Sequence, residues 1–155
     1  MAFKRSSARS WSAPQKIIHK WMFKIYTPVE IAQILIALFL SSCMIQSGLD
    51  KVFDWKGNND FLKSHFSKTF LSGIVPMMLF IVTLLELIGG FLCLGGAVIG
   101  IITFDTSLIG IGFFVIAVDL IALFFGQRIA KDYQGAATLV GYFILSILGI
   151  ITFGL

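Results

Sequence analysis

Apolar residues fill four long stretches of the chain, and one of these carries a two-faced pattern. Residues 72–100, SGIVPMMLFIVTLLELIGGFLCLGGAVIG, are too apolar for a surface helix and long enough to cross a bilayer. At helical spacing, Thr83, Glu86, Gly89, Gly90, Cys93 and Ala97 share one face. Ile81, Leu84, Leu85, Ile88, Phe91 and Leu92 share the opposite one. The pattern predicts a helix with a small, polar inner side and a lipid-facing outer side. Glu86 sits near its middle. A carboxyl in hydrocarbon is costly unless it faces protein or water, so the remaining spans are expected to enclose it.

The other three stretches predict spans at about 29–49, 108–126 and 136–155, with the Glu86 helix at about 73–102. Thr27-Pro28-Val29-Glu30 reads as the start of the first span: Thr27 caps, Pro28 fits the first helical position and Glu30 closes a capping box. Gly48-Leu49-Asp50-Lys51 reads as its end. In the following segment a turn is expected at Lys56-Gly57-Asn58-Asn59. A short interfacial helix follows, with Phe61, Leu62, His65, Phe66, Thr69 and Phe70 on one face. Pro76 falls in the first turn of the second span, where its missing N–H is tolerated. That span ends at a turn over Thr103–Ser107, with Asp105, Thr106 and Ser107 all able to cap the next helix. A turn at Gly95-Gly96 is the alternative and would place Asp105 inside the membrane. Ala137, Gly141, Ser146 and Gly149 give the last span a small-residue strip for close packing.

Before the spans lies a basic, Ser-rich segment, 1–28. Within it residues 14–26 form an amphipathic pattern, with Ile17, Ile18, Trp21, Met22 and Ile25 opposed to Lys16, Lys20 and Lys24. This predicts a helix lying in the headgroup region. Leu40-Ser41-Ser42-Cys43 has the form of a lipoprotein cleavage box, but the apolar run continues past Cys43 and the basic region before it is overlong. The expected fold class is therefore an all-α membrane protein: a four-transmembrane-helix bundle with an N-terminal amphipathic interfacial helix.

Composition agrees. Of 155 residues, 57% are hydrophobic and 13% charged, with mean hydropathy +0.93. Too few polar residues remain to cover a soluble helical domain. The net charge of +4 comes mainly from the first 28 residues and suits an anionic membrane surface; no nucleic-acid motif is present. Cys43 and Cys93 are expected to be free because they fall at different depths, and no His/Cys cluster has metal spacing. Four spans put both termini on one side. Six Lys/Arg lie in the N-terminal segment and six on the opposite side, so charge counting does not set the orientation. The dense basic run before the first helix favours cytoplasmic termini.

Polar groups at the far rim and below it define the candidate site: Asp50, Lys51, Arg128, Asp132 and Tyr133 near the mouth, with Asp119 and then Glu86 deeper. No Lys or Arg falls inside the expected spans. Glu86 is then a candidate neutral carboxylic acid, hydrogen-bonded to Thr83 or another span, unless Lys51 or Arg128 folds inward. Asp132 is equally suited to capping the last helix, and His65 to filling the interface.

Three segments in this order carry a resemblance: Gly48-Leu49-Asp50-Lys51, Leu85-Glu86-Leu87-Ile88-Gly89-Gly90 and Lys131-Asp132-Tyr133. Over about residues 30–155 the chain resembles the DoxX family of four-helix membrane proteins. The basic N-terminal extension is not part of that pattern. The resemblance implies a small membrane subunit or accessory factor of a quinone-linked oxidoreductase. A quinone would bind between helices with its head at Glu86. The sequence has no haem, flavin or iron–sulfur site, so electrons would come from a partner protein. The alternative is a non-catalytic membrane assembly or scaffold protein whose buried acids fix helix register. Expected partners are the lipid bilayer, other membrane or redox proteins, and a second copy of the chain.

Overall fold

A computed structural model describes residues 26–154. They form five helices: α1 Pro28–Phe53, α2 Trp55–His65, α3 Val75–Thr103, α4 Ser107–Ile129 and α5 Tyr133–Ile151, with a 3-10 turn at Ser72–Ile74 before α3. All but α2 are long and apolar enough to cross a membrane, and no strand occurs among the described residues. The chain is an all-α, four-helix membrane-spanning bundle. The predicted amphipathic helix at 14–26 lies outside the described residues, apart from Tyr26.

Local chemistry sets the helix ends. Thr27 accepts from the Glu30 amide at 3.2 Å while the Glu30 carboxylate accepts from the Thr27 amide at 2.7 Å, closing the capping box ahead of Pro28. α1 does not stop at Gly48; it runs on to Phe53. Gly48 is small because α3 presses on it: a Cβ there would lie 2.7 Å from Leu87 Cδ2. The expected turn at Lys56–Asn59 is instead the first turn of α2, because Asp54 caps that helix by accepting from Gly57 N at 3.0 Å. α2 ends at His65, so the expected single face up to Phe70 does not form; Phe66 and Leu71 are buried with Val75, while Phe61 and Phe70 point outward.

α3 continues through Gly95 and Gly96 and ends at Thr103, with Phe104 in the left-handed conformation (φ 63°) as its cap. Asp105 lies outside the membrane helices and accepts from Ser107 N at 2.9 Å. The Ser107 side chain and amide hold its carboxyl below the usual carboxylate range. α5 begins at Tyr133 because Asp132 caps it, accepting from Gly135 N at 2.8 Å.

α3 is the central helix, packed against α1 on one side and α4 on the other; α5 lies on α4 and meets α1 more lightly. Small residues set the spacing. Along α3 and α4, a Cβ on Gly89 would meet Ile116, one on Gly112 would meet Cys93, and one on Gly96 would meet Ile109. α3 buries Thr83, Glu86, Gly89, Gly90, Cys93, Gly96, Ala97 and Gly100, and leaves Ile81, Leu84, Ile88 and Phe91 outward. In α5 the buried residues are Ala136, Ser146 and Gly149, with Gly149 against the Phe113 ring; Ala137 and Gly141 face outward, unlike the expected strip. At the end where α1 begins, Gln33 ties three segments together. It accepts from Thr106 Oγ1 at 2.6 Å and donates to Thr152 O at 3.4 Å.

Candidate functional site

The extension of α1 by one turn brings Lys51 into the bundle wall. Its stem runs along α1 toward α3, and its Nζ donates to Glu86 Oε1 at 2.8 Å and Oε2 at 2.9 Å. The same ammonium donates to Ser47 Oγ at 2.8 Å and Ser47 O at 3.2 Å. Ser47 in turn donates to Glu86 Oε1 at 3.0 Å. Ser47 and Lys51 are four apart on one helix, so both reach the same point on α3. The Glu86 side chain is 2% exposed and that of Lys51 17%. Glu86 is therefore a paired group, and the neutral acid without a cation is corrected by Lys51 folding inward. Thr83 is not its partner; the Thr83 hydroxyl donates to Leu79 O at 2.7 Å. Ser47 is not readable as a site residue from the sequence, because a serine in an apolar helix is unremarkable without knowledge of its neighbour. The available signal was its i, i+4 relation to Lys51.

Asp119 is wholly buried on α4 beside Gly112 and Ile116, and neither of its carboxylate oxygens has a hydrogen-bond partner among the described residues. The other buried polar side chains of the spans are satisfied: Ser41, Thr83 and Ser146 donate to carbonyls of their own helices. The expected descent from Asp119 to a deeper Glu86 does not hold. Glu86 is about 16 Å from the start of α3 and Asp119 about 15 Å from the end of α4, by helix rise. The two carboxyls are level because α4 runs on to Ile129 and α3 starts only at Val75.

A groove of about 420 Å³ opens beside the ion pair, lined by Val52, Trp55, Phe80, Thr83, Leu84 and Leu87. Val52 follows Lys51, Leu87 follows Glu86, and Thr83 is one turn before it. The groove forms where α1 ends while α3 continues. Its apolar wall faces the side where Phe80 and Leu84 point to lipid.

The remaining candidates stay at the rim. Asp50 is exposed and points away from Lys51, lining a separate depression with Gln46 and Phe53. Arg128 is exposed and lies over the Tyr133 ring, 4.6 Å from its centroid. Asp132 is the α5 cap, 3.9 Å from His65 Nε2, which also lies 3.2 Å from Gln127 Oε1. So the structure brings together Lys51, Glu86 and Ser47 with Asp119 alongside, and leaves Asp50, Arg128, Asp132 and Tyr133 apart from them. Thr83, Gly89, Gly90 and Cys93 support the helix seams. Because Asp132 holds a helix end, Asp132→Ala is expected to lower stability by about 1 kcal/mol. Thermal unfolding in detergent measures this, and an unchanged melting temperature would mean that the cap is replaced.

Cys43 and Cys93 are both free. Depth is not the reason. Gly90 packs against Ile45, and Gly48 against Leu87, which sets Cys93 level with Ser42 and Cys43. What separates the sulfurs is direction, since Cys93 faces Gly112 of α4. Among the described residues no group of acidic, His and Cys side chains is arranged to hold a metal.

Four apolar helices around a buried ion pair define an integral membrane protein that contacts the lipid bilayer. No family model, curated protein or solved structure matches the chain.

Proposed function

We propose that this protein is a DoxX-like membrane subunit of a quinone-linked oxidoreductase, seated in a bacterial inner membrane with cytoplasmic termini, and that it binds the quinone. The observation that carries the reading is the Lys51–Glu86 pair next to a lipid-facing apolar groove, whose lining residues Val52 and Leu87 directly follow the two partners in the chain. A pair of this kind offers a polar anchor where hydrocarbon otherwise surrounds the chain, and an intramembrane ionisable group is a functional candidate by default. A quinone accepts electrons and protons at its head, and its tail is apolar. The residues fit that division. A head carbonyl would take a Lys51 hydrogen bond in place of the Ser47 carbonyl, and Phe80, Leu84 and Leu87 take the ring and the first tail carbons. Glu86 and Ser47 hold the ammonium in place. Electrons come from a partner protein, which co-purification in mild detergent would identify.

Trp55 lines the groove and reports on it. In lipid nanodiscs, a short-tailed quinone analogue is expected to quench Trp55 fluorescence saturably, with Trp55→Phe removing that component. Leu84→Phe fills the groove from its exposed side without adding a second tryptophan and should weaken binding by about tenfold, a ~1.4 kcal/mol loss. Non-saturable quenching that is the same in the Leu84 variant would leave the assembly or scaffold role as the better account.

A further inference from the structure

We propose that Asp119, Glu86 and Lys51 form one cluster that binds a single exchangeable proton, and that Asp119 is the residue that carries it. The inference is independent of quinone binding. It begins with the register of α3 on α4. Gly89 meets Ile116, Cys93 meets Gly112, and Gly96 meets Ile109. Each step along α3 is matched by an equal step back along α4, as an antiparallel pair requires. One turn further, the same register sets Glu86 opposite Asp119. Both side chains are buried at this seam, and Lys51 reaches it through its two bonds to Glu86.

The cluster then holds two carboxyls and one ammonium. Glu86 accepts from Lys51 with both oxygens and from Ser47 as well, so the ammonium is committed. Asp119 receives no donor among the described residues. No other cation faces it among the described residues. α5 contributes only Tyr133 and Tyr142 as titratable groups, the first at the rim and the second stacked on Phe39. Arg128, on α4 itself, is exposed on Tyr133. α2 and its flanks carry Asp54, Lys56, Asp60, Lys63, His65 and Lys68, and the turn between α4 and α5 carries Lys131, all at the rim. Two adjacent buried carboxyls with one counter-charge do not both ionise, as in paired-carboxylate sites generally. The cluster is neutral with one proton, and the carboxyl that lacks an ammonium is where the O–H bond forms, at the expense of a hydronium ion from solvent. Such a proton is a stored equivalent inside the membrane, level with the ion pair.

Infrared spectroscopy of the ligand-free protein in nanodiscs near neutral pH tests this by counting protonated carboxyls, seen as carbonyl bands that shift on exchange into D2O. The wild type is expected to show one such buried band. Asp119→Asn should show none. Glu86→Gln should also show none, because the freed ammonium then balances an ionised Asp119. Lys51→Met should show two. Melting curves of the Asn and Gln variants, both close in shape to the wild type, check that they are folded. A wild type without the band, or a band that survives Asp119→Asn, overturns the assignment to Asp119. A band that survives Glu86→Gln overturns the shared cluster, since Asp119 would then hold its proton regardless of Glu86. None of these readings depends on a quinone, so the proposal and the binding function can fail separately.

Discussion

Lys51→Met is expected to destabilise the folded bundle by about 3–5 kcal/mol, the range for removing one partner of a buried ion pair. The cause is the group left behind. Glu86 is 2% exposed and draws on Lys51 with both oxygens, at 2.8 and 2.9 Å. Without the ammonium only the Ser47 hydroxyl remains as donor. Methionine matches the stem in length and fills the same space, so packing is nearly kept and the effect reads the cost of leaving Glu86 without its counter-charge, including the proton that Glu86 must then take up. The double variant Lys51→Met/Glu86→Gln should regain most of the loss, because a neutral amide can still accept from Ser47. Reversible unfolding in detergent or bicelles measures all three. If the single variant lost less than about 1 kcal/mol, in the range of exposed pairs, the pair would be solvated and the site would be a surface feature of the rim.

The inner face of α3 was legible in the sequence because it repeats at helical spacing and mixes small residues with one acid. The start of α1 was legible for a different reason: Thr27, Pro28 and Glu30 each act within one turn, so no tertiary information is needed. The end of α1 was not. Gly48 and Asp50 look like a helix stop, yet Gly48 is small to admit Leu87, and Asp50 is exposed on a continuing helix. That misreading removed Lys51 from the span and left Glu86 without its cation. Depths failed in a similar way. Counting from expected span ends misplaces them, because the register is set by side-chain contacts such as Gly90 on Ile45. Arg128, Asp132 and Tyr133 were correctly placed at the far rim by order along the chain. Whether they converged on Glu86 depended on rotations that sequence does not carry. Asp119 on the inner face of α4 was readable from Gly112 and Ile116, but its missing donor is a property of the neighbours alone.

Gly112→Leu is the other substitution with a large expected effect, because it attacks the seam that holds Glu86 against Asp119. In a bilayer the helices are not driven together by hydrophobic burial, since lipid is as apolar as the interface; close packing of small residues does that work. Gly112 is one of the points where α4 comes close to α3. A Cβ there would lie 2.6 Å from Cys93 Sγ and 2.9 Å from the Cys93 backbone nitrogen. The sulfur can turn aside, but the backbone cannot. Overpacking of a tight core costs about 1–3 kcal/mol, and leucine at this contact is expected at or above the upper end. Gly112→Ala should show a smaller loss of the same sign, and adding Cys93→Ala should recover only part of it, because the contact with the backbone remains. Gly95→Leu is the control: nothing lies within 4 Å of a Cβ at that position, and a helix-interior glycine gains helix propensity when replaced. Unfolding free energies in the same detergent should therefore fall for Gly112→Leu and hold or rise for Gly95→Leu. Equal tolerance of both would mean that α3 and α4 do not pack at this distance. The level placement of Glu86 and Asp119 would then lose its basis, since it is counted from the same contacts.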